Sequence, residues 1–174
     1  TFCEASFEFK MLIDPIATYQ FKELQQSPTL QIVPGVPAKA VCITPSRANI
    51  GESFTYHLKL EDRWGNPTGL PSEHTHPGLT ASGVHTIAVE DAETGLSAVS
   101  NPIEVSAHPT KRWWADFHGQ SEETIGTNTV DAYFAFAKDY ARVDIAGHQG
   151  NDFQITDAFW DKINETTDAM YAPR

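Results

Sequence analysis

Two histidines in the last third of the chain, His118 in "RWWADFHGQSEETIG" and His148 in "RVDIAGHQGNDF", each follow a short apolar run and open onto polar residues. Asp116, Gln120, Asn151 and Asp152 stand close to them in sequence. Imidazoles and carboxylates gathered within a few ångströms are what a divalent transition metal binds, and a bound metal generates hydroxide near neutral pH. The expectation is a metal site with His118 and His148 as ligands, Asp116 and Asp152 as catalytic ligands or bases, and Gln120 and Asn151 against the substrate. Zn²⁺, Mn²⁺ and Fe²⁺ all suit these donors. The competing reading is structural, because a His or Asp at a strand end also caps loops and bonds backbone groups.

For these residues to meet, the elements around them must be parallel. "RWWADFH" (112–118) reads as a buried strand, and "NTVDAYFAFAKDYA" (128–141) as a helix. The helix places Val130, Tyr133, Phe134, Ala137, Tyr140 and Ala141 on one face, with Thr127 or Asn128 as N-cap. "RVDIAGHQ" (142–149) is a second strand, and "TDAFWDKINETTDAMY" (156–171) a second helix with Phe159, Trp160, Ile163 and Met170 on its apolar stripe. A β-α-β-α order implies parallel strands with helices packed outside and the C-terminal strand ends on one rim. Trp113 and Trp114 are expected in core and domain-interface packing.

Residues 28–108 have a different character. Short apolar runs at 30–33, 38–44, 53–62, 84–91 and 97–106 alternate with polar residues and are cut by "PGVP", "RWGNPTG" and "AETGL". This predicts an immunoglobulin-like antiparallel β-sandwich, with one or two further strands drawn from residues 1–27 or from 69–83. Within the N-terminal extension, "FEFKMLI" alternates as a strand does, while "PIATYQFKELQQ" is compatible with a short helix opening at Pro15. The fold class is therefore α+β in several parts: an extension (1–27), a β-sandwich domain (28–108) and the start of a β/α domain (109–174).

Other reactive residues carry less. His74 and His76 in "SEHTHPG" have the spacing of a metal pinch, but the Pro-flanked setting favours a surface loop, and His57 and His85 read as structural. Cys3 and Cys42 fit no zinc or CxxC spacing; one disulfide or two buried thiols both remain open. No glycine-rich phosphate loop and no GxSxG elbow is present. With 12 basic and 23 acidic residues among 174, the net charge of −11 disfavours nucleic acid and anionic membrane surfaces as partners. No apolar run approaches the roughly 20 residues that span a bilayer, so the chain is expected to be soluble.

From about residue 110 to 174 the chain resembles the opening of DUF3604 domains, a branch related to the PHP (polymerase and histidinol phosphatase) metal-dependent phosphoesterases. The motifs are "DFHGQSEETIG" and "HQGNDFQITDAFW", in that order, and "EDRWGNP" and "SNPIEV" resemble the β domain that often precedes them. The resemblance implies a distorted β/α barrel with a multinuclear metal site on its C-terminal rim. Asp116 and His118 map onto the family's first motif and His148 onto its second. Gln120 stands where that first motif usually has a second His, and Gly147 where an Asp usually precedes the His. A whole barrel needs further β/α units, so the implied function is that of the N-terminal region of a metal-dependent hydrolase acting on a small ester-type substrate. This chain alone is then expected to be inactive, with the remainder of the same polypeptide or self-association completing the sheet. The same metals also cut sulfate, amide or glycosidic bonds. The alternative from another class is a non-catalytic binding or assembly module.

Overall fold

The computed structural model describes residues 3–171, which form mostly small antiparallel sheets with two short helices, an α+β arrangement. At the N-terminal side β1 (Glu4–Glu8) pairs antiparallel with β4 (Thr29–Ile32). The short strands β2 (Leu12–Ile13) and β3 (Lys22–Glu23) pair between them in sequence. No helix opens at Pro15; residues 15–19 are turns, and Ala17 and Tyr19 hold φ of 52° and 59°. Asp14 organises this turn by accepting from the Thr18 hydroxyl and from the Tyr19 N–H.

The central region alternates as its sequence requires. β5 (Lys39–Ile43), β7 (Phe54–Glu61) and β8 (Ser72–His76) form one antiparallel sheet in the order β5-β7-β8. β6 (Arg47–Asn49), β9 (Gly83–His85) and β12 (Ile103–Ser106) form another in the order β6-β12-β9, with β12 parallel to β6. β10 (Ala88–Glu90) pairs with β11 (Ser97–Val99). One face of each sheet faces a shared core of Ala40, Cys42, Ala48, Leu58, Ile87, Ala98, Ile103 and Val105. Period-two alternation is what allows such short strands to build one core from three sheets.

Two runs that read as single strands are each divided. The 84–91 run splits between β9 and β10, and the 97–106 run between β11 and β12, so that each run contributes to two sheets. The break in the second falls at "SNP", where Pro102 cannot donate to a ladder. Polar side chains satisfy the backbone there. Ser100 Oγ accepts from the Ile87 N–H at 3.0 Å, and Asn101 exchanges two bonds with the Thr44 backbone, at 2.8 and 3.0 Å. Asp62, in "EDRWGNP", acts in the same way. Burial opposes its charge, but the Asn66 side chain and the N–H groups of Gly35, Asn66 and Trp64 all donate to it and hold its carboxyl well below the usual range.

His74 and His76 lie in strand β8 rather than in a surface loop, with their rings stacked on Tyr56 and Phe54 across the ladder. Cys3 and Cys42 are both free thiols, and burial pushes each of them up.

The last part holds β13 (Ala115–Gly119) and β14 (Ile145–His148), which are parallel neighbours. Helix α1 (Val130–Ala135) follows β13 and passes into a π-helical stretch, Phe136–Ala141, ended by Arg142 at φ 58°. The N-cap is Thr129, one residue beyond the Thr127–Asn128 pair, and it accepts from the Ala132 N–H. Helix α2 (Asp157–Met170) starts at a Thr156 cap. Val130, Phe134 and Ile163 form the core against which Tyr133, Phe159 and Met170 pack; Trp160 stays outside at 58% exposure.

The expected burial of β13 is not observed. Ala115 to His118 are exposed, and Trp113 and Trp114 are 50% and 62% exposed. Buried parallel strands need cover on both faces. The buried residues of the apolar core beside this pair come from α1 and α2, with Ala146 of β14 packed against them and no residue of β13. Among the described residues, no helix is long and apolar enough to cross a membrane.

Candidate functional site

β13 carries one extra residue between Asp116 and Gly119. Asp116 is opposite Ala146, but the next matched pair is Gly119 with His148. A bulge of this kind re-aims the side chains that follow it. Gly119, not His118, is therefore the neighbour of His148.

That register explains the glycine. A Cβ on Gly119 would lie 1.9 Å from the Tyr133 ring, so only glycine lets helix α1 close on the strand. Tyr133 in turn donates its hydroxyl to the Gly147 carbonyl at 3.2 Å. Its ring meets the His148 ring edge-on at 6.1 Å, and Phe159 meets the same imidazole from helix α2 at 5.7 Å. The His148 ring thus touches two aromatic rings, one from each helix. Gly150 passes close above it, since a Cβ there would be 3.2 Å from His148 Cε1 and 2.4 Å from Ile155 Cδ1.

Ser121, fully buried, places Oγ 2.9 Å from His148 Nε2. The loop that presents it is closed by Thr124 and Gly126 N–H groups bonding the Ser121 carbonyl, at 2.9 and 2.8 Å. Burial lowers the His148 pKa from its ordinary value, with a smaller opposing effect from Glu123, so the imidazole is neutral at neutral pH. Its other nitrogen, Nδ1, is buried without a partner, and so is Gln120 Oε1 in the same loop. When Nε2–H donates to Ser121, Nδ1 keeps a bare lone pair. A neutral ring oriented by a hydrogen bond on one nitrogen and open on the other is the form in which histidine ligates a metal.

The other candidate residues are placed differently. His118 is exposed, its N–H bonds Asp116 Oδ1 at 2.9 Å, and it makes neither a hydrogen bond nor a ring contact to His148. Asp116 lies near enough to Tyr133 to raise that phenol, after the larger effect of burial. Asp152 opens the short 3₁₀ turn Asp152–Gln154 and accepts from the Phe153 N–H within it at 2.8 Å. Asn151 donates to Gln154, which donates onward to the Thr124 carbonyl. These last contacts tie the loop after β14 to the loop after β13, and they engage Asn151, not Asp152, in holding that join. Among the described residues, no group of three or more His, Cys, Asp or Glu side chains is close enough to hold a metal ion.

The buried Ser121 and the half-buried Tyr133 and Phe159 were not evident as site residues. Ser121 sits in a polar run with no periodicity, and Tyr133 and Phe159 read only as apolar helix positions. No family model, curated protein or solved structure matches the chain.

Proposed function

We propose that this polypeptide carries part of the metal centre of a hydrolase acting on small ester-type substrates, in a β/α fold of PHP-like type preceded by an immunoglobulin-like sandwich. Three small sheets around one core support the sandwich, and the parallel β13–β14 pair backed by α1 and α2 supports the β/α unit. One observation carries the functional reading: the buried, partnerless Nδ1 of a neutral imidazole at the C-terminal end of a parallel strand.

His148 Nδ1 fits a divalent ion such as Zn²⁺, Mn²⁺ or Fe²⁺ as a lone-pair donor, and Gln120 Oε1, in the loop after β13, is a second buried oxygen with a lone pair to offer. A divalent ion held there would supply a hydroxide nucleophile near neutral pH. Ser121 fixes the His148 ring, while Tyr133 and Phe159 exclude water from its faces. His118 and Asp116, on the bulge at the end of β13, contribute from the exposed side. The remaining ligands come from further strands added at the open edge of the two-stranded sheet, from the same polypeptide or a second copy.

Metal content by elemental mass spectrometry, on untagged protein supplied with Zn²⁺ and Mn²⁺, tests this. Stoichiometric metal in the wild type, lost in His148→Ala with unchanged far-ultraviolet dichroism, is the expected result. Absence of metal from both proteins would overturn the reading and favour a binding module. For such a module the exposed Trp64, under the Arg63 guanidinium at 4.0 Å, offers a contact surface.

A further inference from the structure

At the opposite end of the parallel strand pair, a cleft of about 570 Å³ opens between the β5–β7 sheet and the segments that lead into β13 and β14. Its size is that of a small-molecule site. Arg47, Lys111, Arg112 and Arg142 line it, four of the 12 basic residues in a chain whose net charge is −11. Only one carboxylate, Asp144, is among the lining residues, and Glu104 pairs with Arg47 and Arg112 from beside it at 2.7 and 3.6 Å. Four cations against two carboxylates leave a local positive excess where the molecule as a whole is acidic.

Donors are also in surplus. Arg47 Nε and Arg142 Nε are both buried with no hydrogen-bond partner, although Arg47 already gives Nη1 to the Thr110 carbonyl at 2.9 Å. Arg142 is held in place from β7: its Nη2 lies 2.9 Å from His57 Nε2, and because a guanidinium only donates, His57 is the acceptor. The apolar part of the wall includes Trp114, whose indole N–H donates to Ser46 Oγ at 2.5 Å, and Val143. Charged forks beside a fixed aromatic ring suit a ligand with an anionic head and a flat body.

We propose that this cleft binds a small organic dianion, an oxyanion carried on a planar apolar group such as an aryl phosphate. The site joins two parts of the fold, since Arg47 and His57 belong to the sheets of the first core and Arg142 ends the helical stretch before β14. It lies at the N-terminal end of the strand pair. The four residue steps of β13 put it about 13 Å from the Gly119–His148 end, so its ligand braces or regulates the fold and stays clear of the His148 imidazole.

Isothermal titration of the protein with phenyl phosphate, benzoate and benzyl alcohol, in buffer free of phosphate, tests the assignment. Phenyl phosphate is expected to saturate one site, to bind more tightly than benzoate, and to weaken as salt is raised; benzyl alcohol is expected not to bind. Arg142→Gln and the exposed Lys111→Gln should each weaken phenyl phosphate by about tenfold or more. In metal-free buffer, where the strand-end site does not engage an ester, His148→Ala should leave its affinity unchanged. Failure to saturate at millimolar concentration would overturn the proposal, as would equal affinity in the Arg142 and Lys111 variants, or loss of binding in His148→Ala, which would send the ligand to the strand end instead. Because Lys111 is exposed and its ammonium sits over the Trp113 ring at 3.7 Å, its variant remains informative even if Arg142→Gln fails to fold.

Discussion

His148 Nε2 lies 2.9 Å from Ser121 Oγ, so a hydroxyl with no solvent exposure joins the loop after one strand to the end of the next. That join works with a neutral imidazole, and burial lowers the His148 pKa below that of the unfolded chain. Between the two values the unfolded state holds more protons, so stability rises with pH in that window and is flat above it. The urea midpoint should be constant from pH 8 to 7 and fall as the pH drops below about 6.5, the ordinary histidine value. In His148→Gln the fall below about pH 6.5 should be reduced. An identical slope in both proteins would place the titration elsewhere.

Gly119 is opposite His148 and beneath the Tyr133 ring, where a methyl group would lie 1.9 Å from the ring. Gly119→Ala should destabilise by about 1–3 kcal/mol through forced displacement of helix α1. Tyr133→Leu in the same chain should recover part of that loss. A double-mutant cycle in urea gives the coupling energy, and additivity would mean that strand and helix do not meet as described.

Trp113 is half exposed, whereas Leu58 is 4% exposed within the first core. Leu58→Ala should therefore cost about 2–5 kcal/mol. Trp113→Ala should cost under about 1 kcal/mol, despite the larger side chain removed. Chemical denaturation of the two variants side by side settles the order, and a larger loss at Trp113 would mean that its ring is covered in solution.

Period and punctuation made much of the architecture legible. Ala40, Cys42 and Leu58 alternate inward as their strands require, Thr156 caps α2, and β13 and β14 are parallel as β-α-β order implies. These are local properties, set by side-chain spacing and backbone chemistry over a few residues. The π-helical stretch, the division of runs between sheets at "SNP" and the bulge in β13 were not legible, because each depends on how the backbone meets an element far away in sequence. The bulge has the largest consequence for the site. A single extra residue sets Gly119 beside His148 and leaves His118 exposed, so two histidines with matching sequence settings have different surroundings. The residue types that could do chemistry were determined by sequence alone. Which of them shares a buried environment was decided by register, since a one-residue shift exchanges the faces of a strand.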